Sequence, residues 1–112
     1  MRVRTTLVAV LTTVTLSVTT FTAQSQDAGK EAFLTNNCNR CHAIESQQIE
    51  ATVQSRRVRG PDLSQLEERR DAPWLKQYLE KELQANDRDH SVAWTGSDED
   101  LKDIASWLAS LE

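Results

Sequence analysis

The sequence predicts a small all-α domain with three main helices. Three stretches have the apolar spacing of amphipathic helices, and no stretch shows the alternation typical of β-strands. The chain has 112 residues, which is the size of one domain. With 17 acidic against 13 basic residues it is acidic overall, and this balance argues against nucleic acid as a partner.

Each helix has its own local signal. The first is predicted to begin at Asp27 and to place Gly29 and Phe33 one turn apart on one face. The second is predicted over residues 71–83, where Asp71 and Pro73 give a start signal. The third is predicted over residues 98–111 after a capping box. Its apolar face and the aromatic residue beside it are Leu101, Ile104, Ala105, Leu108, Leu111 and Trp107.

The N-terminus has the order of an export signal. Arg2 and Arg4 precede an uncharged stretch, and Ala23 and Ser25 are small residues just before Gln26. This order predicts a secretory signal over residues 1–25. Thr and Ser interrupt the stretch, which favours cleavage over permanent anchoring. We therefore expect residues 26–112 to be the working domain, exported to the periplasm without stable insertion into the membrane.

Two cysteines in an exported chain would ordinarily suggest a disulfide, but their spacing favours another use. Cys38 and Cys41 enclose two residues, and His42 follows directly. This is the attachment pattern of haem c, in which two thioether bonds hold one porphyrin and the histidine is an axial ligand of the iron. A thioredoxin-like pair needs a strand-helix-strand pattern, and a structural zinc site needs more ligands at close spacing; the sequence lacks both.

Over nearly all of residues 26–112 the chain resembles the class I monohaem cytochromes c. In that family a Gly and an aromatic residue on the first helix cross the last helix, which implies that Gly29 and Phe33 meet Trp107. The resemblance implies a small cytochrome c fold, with three helices wrapped round one covalently attached haem c. It also implies an electron-transfer protein and no enzymatic activity of its own.

The segment after the haem motif also resembles the family. Residues 60–63 read Gly-Pro-Asp-Leu, matching a Gly-Pro-x-Leu segment of the family. The match implies that the Pro61 carbonyl accepts a hydrogen bond from the proximal His42. Residues 45–59 then form an insertion, which we expect to be a solvated excursion, with a helical turn at Ile49 and Val53 as the alternative. Arg59 is the best-placed residue of this loop for a haem propionate.

Two departures from the family pattern have structural consequences. Four residues separate Phe33 from Cys38 where the pattern has three, which predicts a loosened end of the first helix. In addition, Val92 stands where the family usually has the distal methionine, and the only Met of the chain is Met1.

The sixth iron ligand is therefore a choice among other residues. His90 is the one remaining side chain with strong affinity for haem iron, and we favour it over an open or water-bound site. Lys76 and Lys81 are weaker candidates because they must lose a proton to coordinate. If Val92 faces the iron instead, the site is five-coordinate and can admit a small gas.

The sequence thus predicts a one-electron carrier or the electron-transfer subunit of a larger redox complex, with iron bound by His42 and His90. A five-coordinate gas-binding or sensing haem protein is the alternative. Acidic residues cluster near the third helix, which suggests steering towards a basic redox partner protein. These residues are Asp87, Asp89, Asp98, Glu99, Asp100 and Asp103.

Overall fold

The computed structural model describes residues 21–64 and 70–111. Most of the predicted export signal, residues 1–20, lies outside this part. The described residues form three α-helices and two short 3₁₀ turns, and the predicted all-α fold is confirmed. Among them, no helix is long and apolar enough to cross a membrane. In chain order the elements are α1 (Phe21–Thr35), η1 (Cys38–Arg40), η2 (Glu45–Gln47), α2 (Ala72–Leu79) and α3 (Asp98–Ser110).

Helix α1 extends before the predicted start at Asp27. Phe21, the first described residue, already belongs to the helix, so in the unprocessed chain Asp27 lies inside the helix and does not cap it. No Gly or Pro stands between these two residues, so nothing in that stretch stops the helix from extending. At the other end, Asn37 adopts a left-handed backbone with φ of 59°. This turn accommodates the additional residue between Phe33 and Cys38.

Helix α2 starts where the sequence predicts and ends four residues sooner. The Asp71 side chain accepts a hydrogen bond from the Trp74 amide at 2.9 Å and caps the N-terminus. The helix stops because Lys81 takes φ of 60°. The Lys81 and Glu82 amides then donate to the carbonyls of Tyr78 and Gln77, the two bonds of a Schellman motif. The chain is thereby turned away from the helix axis.

Helix α3 matches its prediction closely. The Ser97 hydroxyl accepts a hydrogen bond from the Asp100 amide at 3.1 Å, which confirms the predicted N-cap. The face turned inward carries most of the buried core. The buried side chains on or just after this helix are Leu101, Ile104, Ala105, Trp107 and Leu111.

Helices α1 and α3 can cross closely because Gly29 has no side chain. A Cβ on Gly29 would overlap the Trp107 Cβ and would lie 2.6 Å from the Asp103 carbonyl oxygen. Phe33, one turn later, meets the Trp107 ring edge to face with ring centroids 5.4 Å apart. The predicted contact of Gly29 and Phe33 with Trp107 is confirmed, and it brings the two ends of the domain into contact.

The insertion is not a solvated excursion throughout. Ile44 and Ile49 form an antiparallel bridge around η2, and both side chains are buried in the core with Phe33 and Trp107. The expected solvated loop is therefore wrong for its first part, because this pair of isoleucines buries apolar surface that the small helices leave open. The alternative helical turn at Ile49 and Val53 is also absent from these described residues.

We expect Gly29→Val to reduce the free energy of unfolding of the haem-loaded protein by about 1–3 kcal/mol, because the added side chain overpacks the helix crossing. Thermal or denaturant unfolding measures it. Glu31→Val is the control, since it introduces the same side chain at an exposed position of the same helix. Helix propensity alone would favour Gly29→Val over Glu31→Val, because glycine is the poorest helix former of the three residues. Equal stability of the two variants would contradict the crossing as described.

Candidate haem site

The two cysteines and the first histidine lie on one tight turn. The His42 amide donates to the Cys38 carbonyl at 3.1 Å and the Cys41 amide donates to the same oxygen at 3.3 Å. Both cysteines are half-buried, and they are not joined in a disulfide. Burial raises the pKa of the Cys38 thiol, which favours its protonated form. The turn thus presents two thiols and an imidazole at one wall of the domain.

Backbone hydrogen bonds connect this turn to the end of the insertion. The amides of Thr52 and Val53 donate to the carbonyls of Asn39 and Arg40, each at 3.0 Å. Further along, the Gly60 amide donates to the Cys41 carbonyl at 2.8 Å. The second half of the insertion therefore runs alongside the attachment turn and delivers residues 60–63 next to His42.

His42 is oriented by this segment. Its Nδ1 lies 2.8 Å from the Pro61 carbonyl oxygen. A carbonyl only accepts, so Nδ1 carries the proton and Nε2 keeps its lone pair. A Cβ on Gly60 would overlap the imidazole and lie 2.6 Å from Nδ1, so the ring packs directly against the glycine backbone. The bond that the resemblance implied for Pro61 is present.

The environment also keeps His42 uncharged. Burial lowers the pKa of His42 and the nearby His90 ring lowers it further, whereas the bond to Pro61 raises it. The net direction is downward, which favours the neutral imidazole. Neutral imidazole is the form that binds a metal.

His90 lies opposite His42. Their ring centroids are 6.0 Å apart and the ring planes are within 15° of parallel. His90 Nδ1 lies 2.7 Å from the Val92 carbonyl oxygen, so Nδ1 donates there, and Nε2 is the ring nitrogen left to accept in the neutral tautomer. The two imidazoles thus share one arrangement, in which a backbone carbonyl holds one ring nitrogen and the other is left for a metal.

The other candidates for a distal ligand lie differently. The Val92 side chain is 65% exposed, and this residue contributes its carbonyl to His90. Lys76 lies 3.8 Å from Glu80 in an i,i+4 ion pair, with 45% of its side chain exposed. Lys81 is exposed at the end of α2. The structure therefore brings His90, and not these lysines, to His42.

Aromatic side chains lie next to His90. Tyr78 meets His90 edge to face with centroids 5.5 Å apart, and it stacks on Trp74 at 5.1 Å. Flat aromatic surfaces of this kind suit a porphyrin. Other partly buried apolar side chains pack against the core. They are Cys38, Leu63, Leu79, Trp94 and Leu108.

The separation of the imidazoles tests whether an iron porphyrin fits. A metal ion binds imidazole nitrogen at about 2.0–2.1 Å, and that nitrogen lies about 1.1 Å from its ring centre. One ion between two imidazoles therefore separates the ring centres by about 6.3 Å, close to the 6.0 Å found between His42 and His90. This separation leaves room for one metal ion between the rings. The residues present therefore fit a haem held by Cys38, Cys41 and His42, with His90 as the candidate for the second iron ligand.

The family comparison agrees with this site. The family model described as cytochrome c matches residues 26–112. The chain belongs to the cytochrome c family. Membership implies a covalently attached haem c, and the Cys-x-x-Cys-His motif at Cys38, Cys41 and His42 is consistent with this attachment. The chain matches no curated protein and no solved structure at a significant level.

Sequence reasoning missed three features of the site in this cytochrome. It did not assign the Val92 carbonyl to His90, the close packing of Gly60 on His42, or the contact of Tyr78 with His90. Only Gly60 had a usable signal, because it directly precedes Pro61. Arg59, the best-placed arginine of the loop for a haem propionate, is exposed next to Gly60, and this role stays untested beside that of a solvated side chain. The ligand set of three or more that zinc requires is not found among the described residues.

Proposed function

We propose that this cytochrome is an exported one-electron carrier, or the electron-transfer subunit of a larger redox complex, whose iron is bound by His42 and His90. The observation that carries the proposal is the opposed pair of imidazoles, 6.0 Å apart and nearly parallel. Export is supported by the signal pattern of residues 1–25, with Arg2 and Arg4 ahead of an uncharged stretch.

When bound, the haem supplies one iron that changes between the ferric and ferrous states. The chain provides its ligands and their orientation. The carbonyls of Pro61 and Val92 accept hydrogen bonds from Nδ1 of His42 and His90, so in the neutral form of each ring Nε2 would be the nitrogen available to the iron. Two ligands preset in this way leave little room for a change of coordination, and such rigidity suits electron transfer.

The ligand pair also sets the direction of the reduction potential. A methionine opposite the histidine is the pairing that raises the potential of cytochromes c. Two imidazoles replace it here, so we propose a carrier of lower potential than a His/Met cytochrome. With both axial positions taken by side chains, no position is open to a substrate, which favours electron transfer over gas binding.

We expect His90→Ala to open the iron and to speed carbon monoxide binding to the ferrous protein by roughly tenfold or more. In the unmutated protein only the minor fraction with His90 dissociated is competent to bind. Stopped-flow mixing measures the rate, and the absorption spectrum reports a change to high spin. Added free imidazole should restore the low-spin spectrum of the variant.

Val92→Ala is the control for His90→Ala, because it trims an exposed side chain of the same loop and keeps the carbonyl that holds His90. We expect it to behave as the unmutated protein. An unmutated ferrous protein that is already high-spin, and as fast as His90→Ala, would contradict His90 ligation. The five-coordinate gas-binding function would then be the better account.

We also propose that the redox partner is a protein with a basic surface. The first turn of α3 exposes Asp98 and Glu99. Asn36, two residues before Cys38, donates a hydrogen bond to the Asp100 carboxylate at 3.1 Å. This bond supports placing the acidic turn beside the attachment segment, where electrons would leave the haem.

Reaction of the reduced protein with hexaammineruthenium(III), a cationic oxidant, tests the acidic surface. We expect Asp98→Asn combined with Glu99→Gln to slow this reaction severalfold at low ionic strength and to leave it unchanged at high ionic strength. Arg56→Gln combined with Arg57→Gln is the control, since both arginines are exposed. A larger effect of the arginine pair would instead indicate an acidic partner.

A further inference from the structure

Aromatic side chains on one face of α2 lead to the distal histidine. Trp74 and Tyr78 are four residues apart, so they lie one above the other on the helix surface. Their rings stack with centroids 5.1 Å apart and planes 22° apart. Tyr78 then meets His90 edge to face at 5.5 Å and 73°.

The outer end of the pair is also held. The Arg70 guanidinium carbon lies 4.5 Å from the centroid of the Trp74 ring, a cation–π contact from the segment just before α2. The Asp71 cap bonds to the Trp74 amide and fixes the start of the helix on which both rings stand. The stacked rings of Trp74 and Tyr78 therefore have a contact at each end, with Arg70 against Trp74 and His90 against Tyr78.

His90 itself stands in a long loop between α2 and α3. The hydrogen bond from its ring goes to Val92, two residues away in the same loop. Because both partners belong to the same loop, this bond by itself does not fix the ring relative to α2. Tyr78 belongs to a helix, so its contact connects the His90 ring to a rigid element.

We propose that Tyr78, supported by Trp74, is the positioning residue that holds the His90 imidazole nearly parallel to that of His42. The inference rests on the proposed ligation by His90. Without the edge-to-face contact from Tyr78, the His90 imidazole would be free to rotate about its bond to the iron. The 15° between the two imidazole planes is the orientation that the contact would preserve.

The geometry of the contact suits this role because the two rings meet edge to face, with centroids 5.5 Å apart. The contact uses the ring and not the hydroxyl, so phenylalanine should replace tyrosine without loss of orientation.

Electron paramagnetic resonance of the ferric protein tests the positioning, because the angle between two axial imidazole planes controls the splitting of the iron d orbitals. Nearly parallel planes give a rhombic low-spin spectrum, whereas crossed planes give one dominated by a single large g value. We expect the unmutated protein and Tyr78→Phe to give the rhombic spectrum. Tyr78→Leu should shift or broaden it towards the large-g form.

Ligand exchange gives the second measurement. Binding of carbon monoxide to the ferrous protein requires dissociation of His90, so we expect Tyr78→Leu to speed it severalfold and Tyr78→Phe to leave it near the unmutated rate. Trp74→Leu removes only the support behind Tyr78 and should have a smaller effect of the same kind. It also keeps the test available if Tyr78→Leu does not fold.

Leu79→Ala is the matched control for Tyr78→Leu. Leu79 lies next to Tyr78 on α2, and its side chain packs against the core. It loosens the same helix without removing the ring at His90. Equal spectral shifts in Leu79→Ala and Tyr78→Leu would overturn the positioning role, because general loosening would then explain both.

The unmutated protein separates the two proposals. A ferric spectrum that is not that of low-spin iron with two imidazoles contradicts His90 ligation, and the positioning role fails with it. A bis-imidazole spectrum that Tyr78→Leu leaves unchanged contradicts only the positioning role. A large-g spectrum from the unmutated protein also overturns it, because the two planes would then be crossed.

Discussion

The hydrogen bond between His42 Nδ1 and the Pro61 carbonyl oxygen is the contact on which the site depends. It assigns the proton to Nδ1 and leaves Nε2 to the metal. It also requires that the backbone at Gly60 touch the imidazole ring, where a side chain would overlap it. Donor and acceptor are 19 residues apart, so the chain between them must fold back accurately.

The insertion, residues 45–59, brings the chain back from His42 to Pro61. Its first half is closed by the bridge between Ile49 and Ile44, the residue just before the insertion, and both side chains are buried in the core. Its second half then follows the attachment turn, with amides at Thr52, Val53 and Gly60 bonded to the carbonyls of residues 39–41. The core that fixes α1 against α3 thus also fixes the segment that orients His42. Fold stability and ligand orientation share the same contacts.

Much of this arrangement could be predicted from the sequence because its signals are local. The Cys-x-x-Cys-His motif, the Asp71 and Ser97 caps and the Gly29 crossing each depend on a few residue types at fixed spacing. The start of α1 could not be predicted, because the capping preference of Asp27 is outweighed by a preceding stretch that has no helix breaker.

The end of α2 and the position of His90 could not be predicted, because they depend on backbone conformations and contacts that the residue types do not indicate. Lys81 ends α2 in the left-handed region, which glycine usually occupies, so nothing in the sequence marked the stop. The early stop lengthens the loop that carries His90 to its place opposite His42. The contact of Tyr78 with His90 joins residues 12 apart on different elements, and helical spacing alone does not reveal such a contact.

The pairing of His42 with His90 is the central claim, and near-infrared magnetic circular dichroism of the ferric protein tests it most directly. The wavelength of the charge-transfer band of low-spin haem iron depends on the identity of the axial ligands, so the unmutated protein is sufficient for this measurement. We expect the band position of two imidazoles. A band typical of histidine with a lysine amine, or the high-spin bands of histidine with water, would contradict it.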